Sequence, residues 1–159
     1  MGEIIHQSHI TITREKGPTR IAHIRGFDQP VYYGVHGGIK KFYNVDPEEE
    51  HAATLDHLVG AVGGWMMGTL ATVLAQKKIR TFQDRYMATV TGDIEDVNGV
   101  LKIVRINVHY DLKLPAEKRT DAEEAFNNYI TLCPAAQSVI EAIKITHELV
   151  MTDEKTEGS

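Results

Sequence analysis

Cys133 is the residue best suited to covalent chemistry, because it is the single cysteine of the chain and directly precedes Pro134. Proline favours the first position of a helix, so Cys133 is predicted to lie beside a helix N-terminus. The amide dipoles at such an end stabilise a thiolate, the nucleophilic form of cysteine. A reactive thiol, an intermolecular disulfide and an inert buried thiol are the open interpretations, and an internal disulfide is excluded.

Trp65, the single tryptophan, stands next to Met66 and Met67 in an apolar segment. An indole can line a pocket for an apolar or aromatic ligand, or stack on a planar one. Large aromatic side chains also fill cores, and methionines adapt to irregular gaps in them. The segment therefore predicts either a ligand pocket at Trp65 and Met66 or a filled core.

The eight histidines do not fall into a metal-binding pattern. His6 and His9 would point to opposite faces of a strand. His51 and His57 are six positions apart, which does not align them on one helix face. Because metal ligands must converge on one point, the sequence predicts neither a metal site nor a bound cofactor.

Alternating apolar and polar residues predict six strands, and two turn signals join pairs of them into hairpins. One turn is Lys16-Gly17-Pro18, and the other contains Asn98-Gly99, a strong hairpin signal. The predicted strands cover residues 3–13, 19–27, 30–35, 85–95, 99–111 and 145–151. The region 36–50 is predicted to be a loop.

Three helices are predicted, and the longest carries Trp65. It covers residues 54–78, begins at Thr54 and is apolar nearly all round, as a helix enclosed by other elements must be. A capping box predicts a second helix over 120–132, and Pro134 opens a third over 134–144. The order β-β-β-α-β-β-α-α-β is an α+β layout with mostly antiparallel pairing. A long buried helix in so short a chain needs surface on several sides, which a dimer would provide.

Length and composition favour one soluble domain. The 159 residues carry a net charge of −5 without a dense basic patch, so nucleic acid is not expected as a partner. The longest apolar stretch, Leu58 to Leu74, falls short of the roughly 20 residues that span a bilayer, and we see no signal peptide. We expect a cytoplasmic protein with a single domain over 1–152 and a disordered polar tail over 153–159.

Two segments carry a resemblance to a known family. They are HAATLDHLVGAVGGWMMGTL, which begins at His51, and Leu132-Cys133-Pro134-Ala135-Ala136. With the strands around them they resemble the OsmC/Ohr family. The resemblance implies antiparallel sheets wrapped around a long central helix in an intertwined homodimer. It also implies thiol-dependent reduction of organic hydroperoxides at the subunit interface, by one cysteine on the central helix and a second at the Cys-Pro helix start.

On this resemblance Cys133 matches the second cysteine, whereas the first falls on Trp65. Tryptophan cannot form a sulfenic acid or a disulfide, and it fills the space where a peroxide would bind. The family also implies a glutamate and an arginine that polarise the nucleophile. Glu48 or Glu49 could supply the acid, with Asp56 as a competitor, and the arginine would be Arg20 or Arg25.

Three hypotheses follow for the function. In the first, a homodimer has lost the two-cysteine peroxidase cycle and binds a small apolar ligand. In the second, Cys133 supports a one-cysteine peroxidase for organic hydroperoxides, with an external thiol as reductant. In the third, a long helix clasped by strands resembles a hotdog thioesterase, and Asp56 would be the base that hydrolyses an acyl-CoA.

Overall fold

The structure is a computed structural model that describes residues 2–154. These residues form two compact units, 2–57 and 58–154, and the boundary between them falls inside the longest helix. The first unit contains a three-stranded sheet and the second contains another, so the chain has the α+β class that the sequence predicts. The strands are β1 Ile10–Arg14, β2 Arg20–Ile24, β3 Val31–Tyr33, β4 Tyr86–Val97, β5 Val100–Leu114 and β6 Lys144–Asp153. The helices are α1 Gly37–Tyr43, α2 Thr54–Gln76, α3 Arg119–Asn128 and α4 Pro134–Val139.

The sheet of the first unit is antiparallel throughout, in the order β1-β2-β3. Its first turn uses Gly17 at a positive φ of 60°, a conformation that glycine adopts without steric cost. The strand predicted over 3–13 is wrong in its first half, because β1 starts at Ile10, opposite Ile24. Beyond Ile24 the chain turns at Gly26, where φ is 91°, so residues 2–9 have no strand partner in β2.

The sheet of the second unit has the order β4-β5-β6, with β4 antiparallel and β6 parallel to β5. Its hairpin turns at Asn98 and Gly99, both at positive φ (56° and 82°), as the sequence predicts. Alternate residues of β5 are fully buried and supply the centre of the core: Ile106, Val108, Tyr110, Leu112 and Leu114.

Helix α2 packs against β4 through two glycines that allow close approach. An added Cβ on Gly63 would lie 2.3 Å from Val90 Cγ2, and one on Gly92 would lie 2.5 Å from Val59 Cγ2. A glycine on each element therefore faces a valine on the other. The Tyr86 hydroxyl closes this contact by donating a hydrogen bond to the Met67 carbonyl at 3.0 Å.

Helix α2 has 23 residues and is long and apolar enough, by length and composition, to cross a bilayer. The apolar stretch 58–74 is shorter than a membrane span, but the helix that contains it is not, so length alone does not identify a core helix. Its packing favours a core helix, because Met66, Leu70 and Leu74 are fully buried within the unit. A core helix of a folded domain explains these contacts.

Several predicted boundaries shift. The region 36–50 contains α1, which the loop prediction missed. The predicted helix over 54–78 ends at Gln76, and Lys78 takes a positive φ of 59°. The second helix ends at Asn128 and continues as a 3₁₀ turn over Tyr129–Leu132, and α4 is shorter than predicted.

The predicted tail begins too early. Asp153 still belongs to β6, and the Glu154 carboxylate accepts a 2.7 Å hydrogen bond from Arg85 Nε. This charged pair ties the end of β6 to the 3₁₀ turn over Gln83–Arg85, which precedes β4. The remainder of the predicted tail, 155–159, lies outside the described residues.

Candidate functional site

Cys133 is the cap residue of α4, as predicted from Pro134, and its side chain is fully buried. Its backbone is extended, and its carbonyl accepts the first helical hydrogen bond, from Gln137 N at 2.9 Å. The thiol makes no side-chain capping bond. The helix start therefore holds the sulfur inside the second unit, away from solvent.

A line of hydrogen-bonded polar groups, which sequence reasoning missed, lies beside Cys133. The hydroxyls of Tyr110 and Tyr129 are 3.1 Å apart, and the Tyr129 hydroxyl is 2.9 Å from His147 Nδ1. Both tyrosines are fully buried, whereas His147 is half-buried. These groups come from β5, from the 3₁₀ turn after α3 and from β6, so only the tertiary fold brings them together.

Burial sets the protonation of this line. It raises the pKa of Tyr129 to about 12 and raises that of Tyr110 further, and the nearby Cys133 acts in the same direction on both. Burial lowers the pKa of His147, because the charged imidazolium loses hydration. The hydroxyls are therefore neutral at physiological pH, and the line ends at an imidazole whose charged form is disfavoured by burial.

Trp65 and Met66 lie on different faces of α2. Met66 is fully buried with the core face of the helix, whereas Trp65 is 57% exposed. A single chain thus leaves the indole largely in solvent while the Cys133 thiol is enclosed. The predicted neighbourhood of Trp65 and Cys133 stays a prediction.

Asp56 helps to cap the start of α2. Its Oδ2 atom accepts a hydrogen bond from the Ala53 backbone N–H at 2.7 Å and lies 2.6 Å from His36 Nε2. An acid at the third helical position that binds the cap N–H is half of a capping box. Because this oxygen already has two partners, the carboxylate fits a structural role better than that of a base for a thioesterase.

Glu48 and Glu49 line an open cavity of about 630 Å³ in the first unit. Its walls are the β1–β2 turn and the loop over 45–51. Lys16 Nζ donates to both carboxylate oxygens of Glu48 at 2.6 Å, so the predicted acid has a lysine partner rather than an arginine.

The two predicted arginines lie elsewhere in the first unit. Arg25 lines a smaller groove of about 360 Å³ together with His9 and His23. Arg20 begins β2, paired in register with Arg14 and Tyr33. Within residues 2–154, no three His, Cys, Asp or Glu side chains converge as a metal site would need.

Comparisons with known proteins support the fold. Three solved structures share the fold over nearly their whole length. An OsmC-like protein from Mycoplasma pneumoniae is 15% identical with a TM-score of 0.71, covering 94% of this chain and 99% of that one. An OsmC-like protein of unknown function from Vibrio cholerae is 11% identical with a TM-score of 0.70, covering 92% and 100%. The organic hydroperoxide resistance protein OhrB of Bacillus subtilis is 13% identical with a TM-score of 0.64, covering 92% and 100%.

A search of curated proteins found no significant match. The profile of the OsmC-like protein family, however, matches residues 48–148. That range contains both segments that carry the resemblance, the apolar helix α2 and the Cys133-Pro134 start of α4. Since the profile spans well over half of the sequence and the solved structures share its fold, the chain belongs to the OsmC-like protein family.

Proposed function

We propose that this protein serves the response to oxidative stress as a homodimer that binds a small apolar ligand, without a two-cysteine peroxidase cycle. The observation that carries the proposal is Trp65, which stands where the family resemblance places the first cysteine. A chain with one cysteine cannot close an internal disulfide. The stress-related part rests on family membership and on relatives such as the organic hydroperoxide resistance protein of Bacillus subtilis.

The homodimer is supported by the exposed face of α2. Leu58 and Trp65 are 43% and 57% exposed, although the helix is apolar along its length. Between and beyond them, Gly60, Gly64 and Gly68 have open space where a Cβ would lie. Large exposed apolar side chains mark interaction surfaces, and small residues at four-residue spacing let a second helix approach closely. In the dimer we place the α2 helix of a second copy over this face.

The apolar ligand is supported by the chemistry of the indole. Once a second copy excludes water from α2, Trp65 presents a large flat apolar surface with one polar N–H, which suits a small aromatic or branched aliphatic molecule. The full burial of the Cys133 thiol speaks against a one-cysteine peroxidase, because peroxide must reach the sulfur.

One experiment separates binding from turnover. Because Trp65 is the single tryptophan, its fluorescence reports on this position alone. We expect emission typical of a buried indole at dimer-forming concentrations and a saturable change with 2-phenyl-2-propanol. Cumene hydroperoxide should produce the same change without being consumed when dithiothreitol is present. Sedimentation velocity measures the dimer in parallel.

The control is Cys133→Ser, which should bind both probes as the native protein does. If hydroperoxide is consumed by the native protein and not by Cys133→Ser, the one-cysteine peroxidase is correct and the proposal fails. A monomer whose indole emission stays that of a solvated residue would also overturn it.

The alignment of Trp65 with the first cysteine has its own test. In the variant Trp65→Cys, the new thiol and Cys133 should form an internal disulfide on mild oxidation, which requires Cα atoms within ~7 Å. Peptide mapping under non-reducing conditions detects the linked peptides. Trp65→Ser is the matched control, and two free thiols after oxidation of the cysteine variant would refute the alignment.

A further inference from the structure

The cavity of the first unit holds a built platform that neither the peroxide chemistry nor the apolar ligand uses. The rings of Tyr32 and His51 stack inside it with centroids 5.1 Å apart and planes inclined by 22°. Tyr32 comes from β3 and His51 from the loop that precedes α2. Pro18, Ile21 and Val45 supply apolar parts of the remaining wall.

Backbone contacts between β3 and the loop before α2 hold Tyr32 and His51 together. The Gly34 N–H donates to the Ala52 carbonyl at 3.0 Å, and Gly34 forms a β-bridge with Ala53. A Cβ on Gly34 would lie 2.8 Å from His51 Cβ and 3.1 Å from its nitrogen. Glycine at this position is therefore what lets the loop lie close enough for His51 to stack on Tyr32.

The mouth of the cavity is negatively charged. Lys40 Nζ lies 3.6 Å from Asp46 Oδ1, and His51 Nε2 lies 3.8 Å from Glu49 Oε1. Four carboxylates nevertheless line the cavity with a single lysine: Glu15, Asp46, Glu48 and Glu49. That lysine, Lys16, already binds Glu48 at 2.6 Å, so its charge is compensated. An apolar cavity with an excess of carboxylates at its rim favours a cation over a neutral or anionic molecule.

We propose that this cavity binds a small organic ammonium ion with a flat aromatic body. The aromatic body lies against the Tyr32–His51 platform and the apolar wall, and the ammonium group meets the carboxylates of Asp46 and Glu49. Aromatic faces attract cations, and offset stacking suits a flat ring. The cavity volume of about 630 Å³ accommodates a molecule of this size. This inference does not depend on the proposed function, since the residues involved exclude Trp65 and Cys133.

The test compares two probes of the same shape and opposite charge, 2-phenylethylamine and 3-phenylpropionate. Titration of the native full-length protein, followed by calorimetry and by the imidazole proton signals of His51, should show saturable binding of the amine alone. Raising the ionic strength should weaken it, because the carboxylates at the rim are exposed. Equal affinity for both probes, or no saturable shift up to about 10 mM amine, overturns the proposal.

Amine binding by variants tests whether the cavity is the binding site. Tyr32→Ala should weaken the amine roughly three- to tenfold, since one aromatic pair contributes about 0.5–1.5 kcal/mol. Glu49→Gln should weaken it roughly two- to fivefold, as expected for an exposed charge pair. Glu95→Gln removes an exposed carboxylate from the second unit and is the charge-matched control, which should bind as the native protein does. Loss of binding in the control to the same extent as in Glu49→Gln would show nonspecific attraction and refute the site.

Discussion

The contact between α2 and β4 predicts that Gly63→Ala destabilises the protein, although alanine is the better helix former. Gly63 lies inside α2, where replacement of glycine by alanine normally gains about 0.8–1.0 kcal/mol. Here an added Cβ would lie 2.3 Å from Val90 Cγ2, 2.7 Å from Cγ1 and 3.0 Å from Cβ. All three atoms stand close to the strand backbone, so no flexible chain end can move aside.

The magnitude follows from these two opposing effects. Overpacking a well-packed contact costs typically about 1–3 kcal/mol, and three short distances to a branched side chain place this site near the upper end. After the gain in helix propensity is subtracted, we expect a net loss of about 2 kcal/mol in the free energy of unfolding.

Urea unfolding followed by circular dichroism measures this loss at constant protein concentration. Gly38→Ala is the control, because Gly38 lies in α1 with open space around it and should gain up to about 1 kcal/mol. The double variant Gly63→Ala with Val90→Ala removes the clashing methyl groups and should be more stable than the sum of the two single effects predicts. A Gly63→Ala variant as stable as the native protein would refute the packing described between α2 and β4.

Three further predictions concern buried or paired polar groups. Tyr129→Phe should lower the free energy of unfolding by about 1–3 kcal/mol, because it leaves the buried Tyr110 hydroxyl without its partner, and urea unfolding checks this. The pKa of His109 should lie above its usual 6.5 because Glu148 accepts its hydrogen bond, and proton NMR should show it returning toward 6.5 in Glu148→Gln. This stabilisation is complete below pH 6.5 and disappears as the pH rises through the raised pKa. The pKa of His147 should lie below 6.5 because of burial, so the unfolded chain binds the proton more readily than the folded one. The free energy of unfolding should therefore fall as the pH drops from 6.5 to that lower pKa, and a constant value over this range would contradict the prediction.

Local signals in the sequence predicted those parts of the fold that local physics determines. Asn98-Gly99 fixes a hairpin because both positions need positive φ, which these residues tolerate. Pro134 fixes the start of α4, and with it the place of Cys133 at the cap. The capping box, with Thr120 as its expected cap residue, located α3 only approximately. A 3₁₀ turn over Ala116–Lys118 runs directly into the helix, and Lys118 takes the cap position.

Other features depend on contacts that no local pattern records. Helix α1 was missed because it begins with two glycines, and glycine is a poor helix former. Gly37 takes a positive φ of 52°, which lets the chain enter the helix. The hydrogen bond between Tyr110 and Tyr129 joins positions on β5 and after α3. Only the inward place of Tyr110 in the alternation of β5 could have suggested a buried hydroxyl that needs a partner.

The burial of α2 is incomplete within one chain, although the sequence pattern predicts an enclosed helix. The helix is apolar nearly all round, which predicts enclosure, yet within one chain Met66 and Leu70 are buried while Leu58 and Trp65 remain exposed. Exposed apolar surface forgoes about 25 cal/mol of stabilisation per Å², so a folded monomer would gain nothing from apolar residues on this face. The exposed face of a helix in a monomer normally carries charged side chains, as the exposed side of α3 does. A second copy of the helix, as in the proposed homodimer, would account for the apolar residues at 58 and 65 and the glycines between them. The same second copy would exclude water from the indole, which stands where the family resemblance places the first cysteine.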